Sequence, residues 1–351
     1  MPFNLLSRAQ RAPLGLALQG GGAHGAFTWG VLDALLEQRA NPIVAVSGAS
    51  AGAMNALLLA HGLLEGGRDG ARQALSDFWT ALGQSVPWDA WGLLSGDGSQ
   101  LSAPAQWMLR WAQTMSPAQA NPMRMNPLRD LLARSVDFDR LRQQSRIALH
   151  IAATHANSGR LRVFGNAELS LDAAMASACL PSLHHAVEID GEPYWDGGFS
   201  ANPPVMPLLR TRGTLDVMVV MLSPWRLGDT PNSADAIRER TMEIAFNSAF
   251  LGEMRLVAEA TELAQHAWWP GTFERRLKRA HWHLIDGGEQ LAALPSSSKL
   301  IAHTALLQRL QQAGRERTLQ WLRDQAQHIG RRSTLDLIGA FGSHHPPSAP
   351  A

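Results

Sequence analysis

Two glycine-rich turns near the start of the chain constrain its fold more than any other feature. Gly20-Gly21-Gly22-Ala23-His24-Gly25 follows the apolar run Leu14 to Leu18, and Gly48-Ala49-Ser50-Ala51-Gly52, which reads G-x-S-x-G, follows Ile43 to Val46. Each turn opens into a helical pattern: Ala26 to Gln38, with Val31, Leu32, Leu35 and Leu36 on one apolar face, and Ala51 to about Leu64. Strand, turn, helix, repeated, is the grammar of a parallel sheet with helices on its faces.

A serine between two glycines at a strand-to-helix corner is held with its hydroxyl outward, where larger neighbours would crowd it. Ser50 is thereby presented as a nucleophile. The earlier turn offers backbone N–H groups with no side chains in the way, at a helix N-terminus that favours negative charge. Gly21, Gly22 and Ala51 are the expected donors to an oxyanion.

A serine hydroxyl also needs a base. A histidine oriented by a carboxylate is the usual arrangement, and His266, His281, His283, His303 and His328 stand in a suitable chain order, yet none has a positional signature. Asp196 is the sharper candidate, in Trp195-Asp196-Gly197-Gly198-Phe199-Ser200-Ala201-Asn202-Pro203-Pro204: it ends a strand, and the two glycines after it allow a tight turn. Asp286-Gly287-Gly288 repeats the tripeptide, so pattern alone leaves both open; the asparagine and prolines favour a fixed loop at Asp196. A lone aspartate, with a pKa near 3.9, is a poor base unless burial raises it or the proton moves late.

In these pieces, together with Ala176-Ser177-Ala178-Cys179-Leu180-Pro181, the chain from about Leu14 to Leu222 resembles the patatin-like phospholipase family. The resemblance implies an α/β fold of three layers, α/β/α, around a mainly parallel sheet, and a Ser-Asp dyad acting on lipid acyl esters without a metal or other cofactor. Ser50 would be the nucleophile, Asp196 the base and Gly20, Gly21 and Gly22 the oxyanion donors, flanked by His24, Gly25, Gly48, Gly52, Gly197 and Gly198. His24 stands where the family often has Arg or Lys, so electrostatic help from that position would depend on pH.

Other readings meet obstacles. Gly20-x-Gly22-x-x-Gly25 also fits a dinucleotide fingerprint, but Ile43-Val44-Ala45-Val46-Ser47 lacks the acid that such a site needs, and no Gly-Lys-Ser/Thr follows for a P-loop. A Ser-His-Asp α/β-hydrolase usually places its elbow after several strands, whereas Ser50 follows only the second. An inactive lipid-binding scaffold is the non-enzymatic alternative. His281-x-His283 and His184-His185 read as surface or core residues rather than metal ligands.

At 351 residues, 45% apolar and 17% charged, the chain can bury a large core, and a formal charge of +1 without a basic block argues against nucleic acid. Its one cysteine, Cys179, excludes an intrachain disulfide and fits a reducing compartment. No signal-like stretch precedes Leu14, and no run reaches the roughly 18 apolar residues of a membrane span. The expected protein is cytoplasmic, at most peripheral to a membrane. One domain is expected over residues 1–335, with a mainly helical cap over 66–145, and a disordered tail over 336–351.

Twelve tryptophans accompany a single tyrosine. Trp88, Trp91, Trp107, Met108, Trp111, Met115, Met123 and Met125 cluster in the cap, and Trp107, Trp111 and Met115 recur at i, i+4 and i+8 beside Met108. Such a stripe either faces the core or lines a lipid-contacting lid. The Gly/Ser-rich lead-in, Gly92 to Ser99, favours the lid.

Overall fold

In the structure, a computed structural model, residues 12–39, 41–95, 98–112, 114–224 and 228–342 are described. The two β-turn-α units form as the pattern requires: β1 (Leu14–Leu18) leads through the first glycine turn into α1 (Gly25–Glu37), and β2 (Ile43–Gly48) leads through the serine corner into α2 (Ala51–Gly83). α2 breaks at Gly66-Gly67, whose dihedrals are not helical, and its second limb buries Ala71, Leu75, Phe78 and Trp79 in the main core. The cap therefore begins after this limb, not at residue 66 as expected. The break at Gly66-Gly67 is a kink within one helix-bearing unit.

The cap carries a two-stranded hairpin, β3 (Leu94–Ser95) with β4 (Gln100–Leu101), and then α3 (Ala103–Ala112), α4 (Pro117–Ala120), α5 (Pro127–Ser135) and α6 (Phe138–Gln144). Beyond it come β5 (Ala148–His155), β6 (Leu161–Gly165), α7 (Leu171–Ser177), β7 (Val187–Ile189), β8 (Glu192–Asp196), α8 (Met206–Arg210) and β9 (Asp216–Met221). Asp190 and Gly191 both take positive φ, 53° and 79°, and so close the β7–β8 hairpin. The chain then continues through α9 (Ala234–His266), α10 (Thr272–Arg279), β10 (His281–Asp286), α11 (Gly288–Ala292), α12 (Thr304–Gln325) and α13 (Leu337–Phe341).

The sheet order is β10-β9-β1-β2-β5-β8-β7, with β6 also on β5; the strands from β10 to β5 run parallel, and β6, β7 and β8 join antiparallel. Alternation along the strands feeds two cores. Leu14, Leu16, Leu18, Met218 and Val220 face α1, α2 and α12, while Ala17, Val217, Val219 and Met221 face Phe250 and Met254 of α9, Leu208 of α8 and Leu277 of α10. α1 is buried from Gly25 to Leu36, the pattern of a helix enclosed on all sides. The result is the three-layer α/β/α arrangement. α13 packs Phe341 edge-on against Phe250, ring centroids 6.0 Å apart, so the ordered domain passes residue 335, the expected limit. Residues 343–351 of the expected tail lie outside the described residues. Among the described residues, no helix is long and apolar enough to cross a membrane.

At the N-terminal end of the parallel strands, Asp216 is buried and accepts from the Gly330 N–H at 2.7 Å, and its Oδ1 lies 3.0 Å from His283 Nε2 and 3.3 Å from His281 Nδ1. Asp216 and His283, the latter also 2.9 Å from Thr334 Oγ1, thus tie the strand edge to the C-terminal segment; among the described residues no group of three or more His, Cys, Asp or Glu could hold a metal. Burial alone would raise the pKa of Asp216, but the hydrogen bonds from His283 and Gly330 and the charges of the two histidines outweigh it and hold the carboxyl below its usual range. A depressed acid contributes stability that is full above its unfolded pKa and is lost as the pH falls through its folded one. Asp216→Asn is expected to cost about 1–3 kcal/mol in urea denaturation at pH 7, with the gap between parent and variant closing below about pH 4.

Candidate functional site

The site is assembled where β1 and β2 end. Ser50 takes φ 52° and ψ −124°, a strained conformation for a residue with a side chain. Its N–H donates to Ser177 twice over, to the carbonyl at 3.1 Å and to Oγ at 3.0 Å, so α7 holds the corner in place. A Cβ on Gly52 would overlap the Leu18 carbonyl of β1, which explains why the start of α2 can lie against the sheet only with glycine there. The two turns touch: a Cβ on Gly20 would lie 2.7 Å from the Ala49 carbonyl and 2.8 Å from Ser50 Cβ.

Above this junction the loop after β8 is fixed by its own polar contacts. Asn202, buried, accepts from the Gly20 N–H at 2.6 Å, and Ser47 Oγ donates to the Pro204 carbonyl at 2.5 Å. Gln19 accepts from the Leu222 and Ser223 N–H groups and donates to Asn247. Gly20 therefore departs from the expected donor set, because its N–H is already engaged by Asn202. Gly21 and Gly22 remain, with Gly22 in the left-handed region at φ 57°. Ala51 opens α2, so its N–H has no carbonyl within the helix to meet. The positive end of the α2 dipole points the same way.

Register explains how Asp196 comes to this place. Gly48 on β2 lies opposite Ile151 of β5, and Asp196 on β8 lies opposite Ala153, two residues further along the same strand, or about 7 Å. β2 runs up to the serine; β8 runs down, antiparallel to β5, and ends on the aspartate. Asp196 is 1% exposed. Its N–H donates to the Cys179 carbonyl at 2.7 Å, Thr154 Oγ1 donates to its carbonyl at 2.8 Å, and Oδ1 accepts from the Gly198 N–H at 2.7 Å. Oδ2 is buried without a hydrogen-bond partner among the described residues. Burial pushes the carboxyl up to about 6, against the Gly198 hydrogen bond and a hydrogen-bonding influence of the Ser50 side chain.

The alternatives lie elsewhere. Asp286 ends β10 at the far edge of the sheet and accepts from Arg317 Nη2 at 3.0 Å. His266 contacts the Glu262 carbonyl, His303 pairs with Asp89, and His328 lies against Arg332, leaving Ser50 without a histidine partner among the described residues. His24 is buried, with Nε2 2.7 Å from Ser298 Oγ. Ser298 gives its only hydroxyl proton to the Pro295 carbonyl at 2.6 Å, so His24 Nε2 must donate and Nδ1 is unprotonated. Burial, and then the charge of Lys299, press the His24 pKa down to about 3. The expected pH-dependent charge at this position is thus absent across the neutral range. Cys179, beside Asp196, is held as a thiol: burial and then the Asp196 charge raise it to about 12.

Trp107 and Trp111 are 69% and 53% exposed and Met108 57%, so the face of α3 that bears them does not belong to the core. The helix ends at Ala112, so Met115 is not on its stripe as expected but in the turn beyond.

With the geometry in place, comparison is informative. The model that describes the patatin-like phospholipases matches residues 16–209. The chain belongs to the patatin-like phospholipase family. Membership makes it, by class, a lipid acyl hydrolase. Among solved structures it is similar to VipD from Legionella pneumophila, at 17% identity and a TM-score of 0.42 over 89% of this chain and 67% of that one. It is also similar to ExoU, solved with SpcU, from the type III secretion system of Pseudomonas aeruginosa, at 18% identity and 0.38 over 91% of this chain and 53% of that one. The chain thus spans about half the length of ExoU, and at these scores neither likeness bears on substrate or mechanism. No curated protein matches the sequence.

Ser177 and Gln19 had no assigned role in the sequence, and Asn202 had only suggested a fixed loop. A glutamine closing an otherwise apolar strand was the available signal. Ser177→Ala is expected to slow labelling by a fluorophosphonate about tenfold, the equivalent of one lost hydrogen bond to the corner, while circular dichroism stays that of the parent.

Proposed function

We propose that Ser50 and Asp196 form a two-residue catalytic centre that hydrolyses acyl esters of lipids. The observation that carries the reading is the buried carboxyl of Asp196: one oxygen is anchored by Gly198, the other has no hydrogen-bond partner among the described residues, and the Ser50 side chain is among the influences on its pKa. Catalytic hydrogen bonds of this kind commonly shorten only when substrate is bound.

Ser50 Oγ attacks the ester carbonyl carbon as its proton passes to Asp196 Oδ2. The carbonyl oxygen becomes an oxyanion, received by the N–H groups of Gly21, Gly22 and Ala51 at the positive end of α2. Collapse breaks the ester C–O bond, and Asp196 returns the proton to the departing alcohol. The acyl group is left on Ser50; water, giving a proton to Asp196, then attacks the acyl carbon, the bond to Ser50 Oγ breaks as Asp196 returns that proton to the serine oxygen, and the carboxylic acid departs.

The cap supplies the approach to lipid. His185 Nε2 donates to the Asn121 carbonyl at 3.3 Å, and Cys179 Sγ donates to the His185 carbonyl at 3.0 Å, so the cap is tied to the strand of chain that holds Asp196. Trp107, Met108 and Trp111 on α3 are exposed, as are Met123 and Met125, and the sequence from 103 to 125 carries Arg110 and Arg124 but no Asp or Glu. Such a face suits a peripheral seat on anionic lipid.

Ser50→Ala is expected to abolish fluorophosphonate labelling, and Asp196→Asn to lower hydrolysis of p-nitrophenyl esters by about 10²–10⁴; full activity in either variant overturns the assignment. Because Asp196 must be ionised to accept a proton, kcat/KM is expected to fall as the pH drops through about 6 and to hold above it. A raised acid destabilises the fold above its pKa, so Asp196→Asn should melt no lower than the parent at pH 8. Trp107→Ser with Trp111→Ser is expected to reduce hydrolysis of anionic vesicles at least about fivefold while sparing a soluble short-chain ester.

A further inference from the structure

His24 is neutral, yet the glycine turn is not without a cation. The segment Ser296 to Leu300 lies across it: Ser298 Oγ receives the His24 Nε2–H, and a Cβ on Gly22 would overlap the Lys299 carbonyl and lie 3.6 Å from Lys299 Cβ. From there the Lys299 side chain reaches Ser223 Oγ, to which Nζ donates at 3.1 Å. Ser223 follows Leu222, whose Cδ1 lies 3.1 Å from where a Cβ on Gly21 would be, and its N–H is held by Gln19 at 2.9 Å. Lys299 therefore reaches from Gly22, where its backbone lies, to Ser223, the residue after the neighbour of Gly21, where its ammonium is anchored.

We infer that Lys299 is a positioning residue of the oxyanion turn: its backbone shapes the turn at Gly22, and its ammonium, anchored on Ser223, stabilises the negative charge that develops at the Gly21 and Gly22 N–H groups. This rests on the Ser50 reading above. His24 is then a strut, holding Ser298 so that the next residue lies over the turn. Its depressed basicity comes first from burial and then from the charge of Lys299. Burial holds the Lys299 ammonium below its ordinary pKa, and the charges of Glu243 and Glu239 of α9 offset part of that shift. Charge fixed before the reaction, in a site of low polarity, acts on the transition state without reorganisation.

The test is Lys299→Met against Lys299→Arg, with kcat and KM on a soluble ester and the rate of fluorophosphonate labelling. Lys299→Met is expected to lower kcat and labelling about 10- to 100-fold with KM within about twofold, and Lys299→Arg to retain most of both. Should Lys299→Met not fold, Lys299→Cys treated with bromoethylamine regains an ammonium, whereas iodoacetamide leaves a neutral adduct. Recovery confined to the first adduct supports the inference. Parent rates in Lys299→Met, or equal rates in the two adducts, overturn it. Labelling of Ser50→Ala would instead sink the nucleophile assignment beneath it, so the two failures are told apart.

Discussion

The close contact between two backbones at the ends of β1 and β2 is what the rest of the site depends on. Gly52 lies against the Leu18 carbonyl and Gly20 against Ala49 and Ser50. Any side chain at either glycine would push the serine corner away from the first turn. An oxyanion donor acts only within about 3 Å of the developing charge, so even a small displacement would dismantle the arrangement. The polar groups around the junction answer the same need. Gln19 closes the gap to Leu222 and Ser223, Asn202 takes the Gly20 N–H, and Ser177 takes that of Ser50. Each satisfies a backbone group that a sheet ladder leaves unpaired at its end, and each thereby fixes one wall.

Two buried aspartates, at opposite ends of the sheet, show how surroundings decide use. Asp216 gathers His283, His281 and the Gly330 N–H around one oxygen, and its carboxyl is depressed. Asp196 is equally inaccessible but has one backbone donor on one oxygen, and its carboxyl is raised. A satisfied carboxylate locks structure. An under-satisfied one weakens it, because burial of charge without partners is costly. The Asp196 site accepts that weakness where a proton acceptor is proposed, which is where strain and unmet polar groups are expected to concentrate.

Much of this was legible in the residues. Short apolar runs bounded by glycine placed β1 and β2 closely, because local periodicity and turn chemistry are properties of adjacent residues. The pairing partners were not. Ser50 meets Ser177 across 127 positions, and Gly20 meets Asn202 across 182. Nothing local to Ser177 distinguishes it from another small helical residue. The start of the cap was misplaced for a related reason: only tertiary packing reveals that the limb beyond the Gly66-Gly67 kink still buries Leu75, Phe78 and Trp79. Lys299 was invisible, since its segment carries no pattern of its own and acquires meaning only by lying on Gly22.

The opposed directions of β2 and β8 bear on why an imidazole is dispensable in the proposed chemistry. In a wholly parallel sheet every strand delivers its last residue to the same edge, facing outward, and two such residues on separate strands need a third group to bridge them. Here β8 enters against that direction and stops two residues beyond the level of Gly48. Its carboxyl is brought toward the corner from above while the serine rises from below. The lone aspartate pays for the missing relay with burial, which lifts its pKa to about 6 and brings its basicity near to that of an unperturbed histidine. In the proposed chemistry, direction of approach and depth of burial act together: the antiparallel strand ends at the level of the serine corner, and burial supplies the basicity that the acid needs.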